Sequence, residues 1–131
     1  MRSSVWLIVN PASGRYSEGL LKKVREVLKN RFRHIEVYFT EGPGDALIKT
    51  RELAETGVST VIACGGDGTL NEVVNGAACS ETAVGFIASG TTNVFSKEVG
   101  LPEEPLKAAE RILKGRETFI NAGWINRERF F

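Results

Sequence analysis

The chain has 131 residues, is 42% hydrophobic and carries a formal net charge of +1, with two cysteines and one histidine. That length and balance set a single core, and nucleic acid is not among the expected partners. Cys64 and Cys79 are too few for a disulfide framework, and with His34 alone they cannot complete a zinc site, so both read as reduced, mostly packed thiols.

In chain order, the apolar run Val5–Val9 is too short for a signal-peptide core or a membrane span, so a soluble, cytoplasmic protein is expected. Val5–Asn10 reads as a buried strand, and Glu18–Asn30 as an amphipathic helix. Lys22, Arg25, Lys29 and Arg33 recur at helical spacing opposite Leu20, Leu21, Val24, Val27 and Leu28, which gives that helix a basic outer face. Residues 1–33 hold eight Lys/Arg against two acids, whereas residues 34–131 hold nine against fourteen, so the basic bias is local. A solvated face explains it. The sharper alternative is peripheral attraction to an anionic membrane at the inner face of the cell, worth at most about 1 kcal/mol per basic residue.

Ile35–Thr40 reads as a strand, and Asp45–Thr56 as a helix with Ala46, Leu47, Leu53 and Ala54 turned inward. Thr60–Cys64 is a third strand, Leu70–Ala77 a helix and Ala83–Ala88 a fourth strand, followed by helical pieces at Asn93–Val99 and Pro105–Lys114. Strands alternating with helices of this length define right-handed βαβ units. The fold class is α/β: a Rossmann-like open, mostly parallel sheet with helices on both faces. Residues Thr118–Phe131 break the rhythm, with a strand, a polar turn at Asn126–Glu128 and the start of another strand. This reads as the opening hairpin of a second, β-rich unit, so the expected division is 1–117 and 118–131. Trp124, Ile125, Phe130 and Phe131 lack a helix to pack against, which points to self-association through a strand edge.

The stretch VIACGGDGTLNEVVNG, residues 61–76, runs from an apolar strand into three glycines around one aspartate. Ligands of open α/β sheets bind beyond the carboxyl ends of the strands, and this turn lies at such an end. Glycines there let backbone N–H groups approach a phosphate, and the following helix adds its positive end. Asp67 supplies the only charge in the turn. Facing polyphosphate, it must hold a metal, take a proton from an attacking hydroxyl, or point to a backbone partner. The dinucleotide pattern G-x-G-x-x-G fails at Asn71, and the Walker pattern fails because Gly85–Gly90 is followed by Thr91 and Thr92 without a Lys. A plain turn is the bland alternative. Two further loops, Asn10–Arg15 and Ser89–Asn93, follow strands in the same way and carry hydroxyls, amides or a base, so three loops form a candidate polyphosphate cradle.

NPASG (residues 10–14), Thr40 followed by PGDA (43–46), GGDGTLNEVVNG, and GTTNVFSKEVGLP (90–102) together resemble the nucleotide-binding domain of diacylglycerol kinase and sphingosine kinase-like lipid kinases. NAD kinases and phosphofructokinases share the GGDG turn more distantly. The resemblance spans essentially the whole chain, with its four motifs in the family's order. It implies an ATP-dependent, Mg²⁺-using phosphotransferase acting on a lipid hydroxyl, with residues 1–117 as the nucleotide-binding domain. It implies Asp67 as the catalytic or metal-linked carboxylate. The residues toward the nucleotide would be Asn10, Ser13, Gly14, Arg15, Thr40, Gly65, Gly66, Asp67, Gly68, Thr69, Asn71, Glu72, Gly90 and Thr91. Val94 stands where the family usually has Asp. The family's lipid cleft and a further acid belong to a following β-rich domain, which would begin with residues 118–131. The alternatives are a kinase for NAD or a sugar phosphate, and a nucleotide-binding module without catalysis.

Overall fold

The computed structural model describes residues 2–89, 104–114, 124–125 and 129–130, with side chains for 4–89 and 104–113. Four strands, β1 (Arg2–Val9), β2 (Phe32–Phe39), β3 (Thr60–Gly65) and β4 (Ala83–Ala88), form one sheet in the order β2-β1-β3-β4. Every pairing is parallel: β1 meets β2 from Arg2↔Phe32 to Val9↔Phe39, and β3 meets β4 from Thr60↔Ala83 to Gly65↔Ala88. The four described strands thus form a parallel sheet, as expected, and all four carboxyl ends lie along one edge. Among the described residues the helices are α1 (Glu18–Leu28), α2 (Asp45–Glu55), α3 (Asp67–Ala77) and α4 (Pro105–Lys114).

Alternation along the strands divides the core between the two faces. Val5, Leu7, Val9, Ile62, Cys64 and Ile87 pack against Val24 and Leu28 of α1 and Ala108 and Ala109 of α4. On the other face Ile8, Val61, Ala63, Phe86 and Ala88 pack against Ala46 and Leu53 of α2 and Leu70 and Val73 of α3. Every residue of β3 is buried, as a central strand covered on both faces requires.

The helix boundaries follow local chemistry. Ser17 caps α1, its Oγ accepting the Leu20 N–H at 3.0 Å. The helix ends at Leu28, earlier than the periodicity suggests, because Phe32 is buried as the first residue of β2. Arg33 therefore belongs to β2 and not to the basic face of α1, and Lys29 on that face pairs with Glu26 at 3.2 Å. Glu104 caps α4 with its carboxylate, accepting from the Leu106 and Lys107 N–H groups at 3.1 and 3.0 Å. In α2, Ala46 and Leu53 are buried as expected, while Leu47 and Ala54 are half-buried.

The crossing of α2 and α3 depends on Gly76. A Cβ there would lie 2.7 Å from the Leu47 carbonyl oxygen and 2.7 Å from Thr50 Cβ. The last glycine of NEVVNG is thus a packing residue. Cys64 is buried, and burial pushes its thiol up to about 12, whereas Cys79 is exposed, correcting the expectation that both thiols are packed.

Trp124–Ile125 (β5) pairs antiparallel with Arg129–Phe130 (β6), a hairpin where the sequence places one. The Asn93–Val99 segment lies outside the described residues. Among the described residues no helix is long and apolar enough to cross a membrane.

Candidate functional site

In the order β2-β1-β3-β4, the chain moves outward from β1 to β2, then returns past β1 to β3. The switch point is the β1/β3 boundary, where the loops after the two strands lead to helices on opposite faces, the position at which open α/β sheets bind their ligands. The loops leaving β1 and β3 are Asn10–Arg15 and Gly66–Thr69.

Hydrogen bonding continues past the strand ends and fixes these loops. Asn10 N–H donates to the Cys64 carbonyl (3.0 Å), Thr40 N–H to the Val9 carbonyl (2.9 Å), and Ser89 N–H to the Gly65 carbonyl (2.8 Å). Asn10, Thr40, Gly66 and Ser89 thus stand in a row along one edge. The loop after β1 is shaped by Asn10, whose Oδ1 accepts from Ala12 N–H at 3.0 Å and whose carbonyl accepts from Ser13 N–H at 3.1 Å. It then reaches past the end of β3 to β4: Arg15 N–H donates to the Ser89 carbonyl at 2.7 Å, and the Ser13 and Ser89 hydroxyls lie 2.8 Å apart.

The turn after β3 differs from its sequence reading. Helix α3 begins at Asp67, not at Leu70, so Asp67, Gly68 and Thr69 form its first turn. Gly66 is the N-cap, with φ −93° and ψ −170° and no capping side chain, and Leu70 N–H already bonds to its carbonyl at 3.2 Å. The N–H groups of this turn have no acceptor within the helix, and Asp67 stands at the positive end of the dipole.

Gly65 and Gly68 differ in what a side chain would meet. At Gly65 a Cβ would lie 2.6 Å from Thr69 Oγ1, so this glycine admits the buried Thr69 side chain, not a ligand. At Gly68 a Cβ would meet nothing within 4 Å, and the residue is exposed. Among the described residues nothing covers the first turn of α3 at that point. Asp67 is half-buried.

Two other residues of the expected set, both half-buried, are engaged by the protein itself. Glu72 Oε1 accepts the Leu47 N–H at 3.4 Å, placing a carboxylate at the start of α2, whose N-cap Gly44 has φ +87° and no capping side chain. Asn71 accepts from Asn75 Nδ2 through both its carbonyl (2.8 Å) and its Oδ1 (3.3 Å). In the loop after β2, Asp45 takes the Tyr38 hydroxyl at 2.8 Å and the Glu41 N–H at 2.8 Å, closing residues 40–45. The Tyr38 phenol is raised above 10.0, first by that hydrogen bond and then by burial and the acids nearby. The structure therefore brings Asn10, Ser13, Gly14, Arg15, Thr40, Gly65, Gly66, Asp67, Gly68 and Thr69 to one edge. Asn71 and Glu72 lie one turn into α3, and Gly90 and Thr91 lie outside the described residues. Ser89 and Asp45, read in the sequence only as part of a cradle loop and of PGDA, order these loops, and Tyr38, which the sequence reading did not single out, joins them through Asp45.

A parallel α/β sheet with a glycine-led helix start and an aspartate at its switch point is the architecture of a phosphate-binding domain. The signature of the diacylglycerol kinase catalytic domain matches residues 4–125, and the chain belongs to that family. It is 34% identical to a diacylglycerol kinase of Staphylococcus carnosus, an alignment covering all of this chain and 44% of that protein. It is 38% identical to a diacylglycerol kinase of Bacillus subtilis, covering 95% of this chain and 42% of that one. A probable lipid kinase YegS-like protein of Chromohalobacter salexigens is 36% identical over 95% of this chain and 41% of its own length. The crystal structure of a diacylglycerol kinase from Bacillus anthracis superposes with a TM-score of 0.77 at 34% identity, covering 86% of this chain and 40% of that one. The chain thus spans less than half the length of these relatives.

Proposed function

We propose that the chain is the ATP-binding part of a lipid kinase that transfers the γ-phosphate of ATP to a lipid hydroxyl. Family membership supports the reaction class. The observation that carries the site is the open first turn of α3 at the switch point, with Asp67 in it and no side chain at Gly68 to cover its N–H groups. ATP fits that chemistry: the β- and γ-phosphates take the N–H groups of Gly66–Thr69, and the loop Asn10–Arg15 borders them.

Among the described residues no three His, Cys, Asp or Glu side chains form a metal cluster. Mg²⁺ does not require one, since it is commonly held by one or two carboxylates together with substrate phosphates and water. Asp67 beside the phosphates meets that need, and bound Mg²⁺ would neutralise charge developing on the transferred group. Asp67 either shares the metal or takes the proton of the attacking hydroxyl. The remaining residues position and exclude water, which accounts for most of the catalysis in phosphoryl transfer.

On this reading the lipid and a further acid are received by a β-rich domain that opens with the β5–β6 hairpin, and the enzyme works from the cytoplasm at a membrane surface. Residues 1–131 alone bind ATP with Mg²⁺ and transfer little to lipid. They self-associate through the hairpin edge, and this is lost on truncation after Gly115. The test is a labelled-phosphate transfer assay on diacylglycerol, sphingoid bases and other lipid alcohols, run on the 131-residue chain and on a protein of its relatives' length. Transfer by the longer protein alone supports the reading. Robust transfer by residues 1–131 places the acceptor site inside the α/β domain, and no transfer by either rejects a lipid kinase.

A further inference from the structure

Phe39, the last residue of β2, is 45% exposed, an unusual state for a phenylalanine at the end of a buried sheet. Its neighbour is Tyr16, which follows the loop after β1; the ring centroids are 6.3 Å apart at 80°, an edge-on contact. Tyr16 is anchored on the α1 side of the core and by its N–H to the Ser13 carbonyl at 3.1 Å. The pair therefore joins the two loops that flank the β1–β2 part of the carboxyl edge. An edge-on contact covers less of a ring than a stacked one, and the exposure of Phe39 measures what is left.

The direction in which a nucleotide runs along this edge follows from the same geometry. With phosphates on the first turn of α3, the remainder of the molecule extends either toward β4 or toward β2. Toward β4 the edge is bridged by Arg15 N–H on the Ser89 carbonyl and by the Ser13–Ser89 hydroxyl pair. Toward β2 it leads past Asn10 and Thr40 to the exposed ring. Two strand spacings separate β3 from β2, about 10 Å, a distance a ribose and its phosphate arm can span. A purine arriving there meets an aromatic surface, and stacking on such a ring is favourable for any base.

We propose that Phe39, held edge-on by Tyr16, is the stacking platform for the adenine of ATP. This rests on the phosphate site proposed above. The test compares two ligands, ATP and inorganic tripolyphosphate, each with Mg²⁺, titrated calorimetrically into the wild-type chain and into Phe39→Ala, Phe39→Leu and Phe39→Trp. Stacking predicts that Phe39→Ala and Phe39→Leu lose about tenfold in ATP affinity, that tripolyphosphate affinity is unchanged, and that Phe39→Trp retains ATP. Phe39→Leu keeps apolar area without a ring, so its loss separates stacking from loop packing. Unchanged ATP affinity in Phe39→Ala, or equal loss of both ligands, overturns the platform while leaving the phosphate site standing. A wild-type chain that binds neither ligand overturns both.

Discussion

Helix α3 contains two glycines that do opposite things. At Gly76, near its end, a Cβ would lie 2.7 Å from the Leu47 carbonyl oxygen, so the absence of a side chain lets α2 and α3 touch. At Gly68, about two turns earlier, a Cβ would meet nothing within 4 Å. The fold therefore uses one glycine and has no steric need for the other, although a glycine inside a helix costs roughly 0.5–1 kcal/mol relative to alanine. On the proposed reading, a glycine that packing does not explain, beside an acid at a helix start, serves the ligand that binds there. The comparison separates the packing invested in the end of α3 from the chemistry proposed for its beginning.

The largest expected effect breaks the chemical end. In a protein of its relatives' length, Asp67→Asn keeps size and shape but removes the charge, so turnover should fall by about 10²-fold or more. ATP affinity and melting temperature should change little. Steady-state kinetics with a calorimetric binding measurement check this, and near-normal turnover would make Asp67 a loop-shaping residue. Next, Gly76→Ala should destabilise the domain by about 1–3 kcal/mol through overpacking, read by urea unfolding. Gly68→Ala should have the opposite sign, stabilising by roughly 0.5–1 kcal/mol. If both substitutions destabilise alike, the distinction between the two ends of α3 fails.

Much of this arrangement is legible in the sequence because hydrophobic period and strand-end motifs are local properties. β3 and β4 read correctly to within a residue, since a short apolar run between turn residues is a strong signal of a buried parallel strand. The start of α3 did not, because three glycines and an aspartate look like a loop, and only the backbone shows that Asp67–Thr69 already turn helically. Likewise the role of Glu72 cannot be seen from its neighbours in sequence: its partner, the Leu47 N–H, is supplied by the crossing of α2 with α3. Gly65 and Gly76 are equally tertiary, explained by Thr69 and by α2 rather than by a ligand. Arg33 falls on the basic helix face by spacing alone, which does not reveal that Phe32 is buried in the sheet and carries Arg33 into β2.

The smallest effect concerns the two thiols and pH. Folding holds the Cys64 thiol protonated up to about 12, against 9.0 as its ordinary value. The unfolded chain therefore releases that proton first, and stability should be unaffected below about pH 9 and decline as pH rises from there toward 12. The raised phenol of Tyr38 has the same sign but acts from pH 10.0 upward, so Cys64→Ala should flatten the early part of the decline and leave the later part. Denaturation midpoints across pH 8–11 would show it. Maleimide at pH 7.5 should label the exposed Cys79 and spare Cys64 until the chain unfolds.

The central claim is that ATP phosphates lie on the first turn of α3. Calorimetric titration of Mg-ATP into Gly68→Val tests it most directly, because a Cβ there meets nothing within 4 Å, so the fold should stay intact, while on the proposed reading the side chain would take the space of the phosphates. The account predicts a variant that melts like the wild type and loses about tenfold or more in ATP affinity, the scale of one hydrogen bond to a charged group. Wild-type affinity in a folded Gly68→Val chain would contradict it.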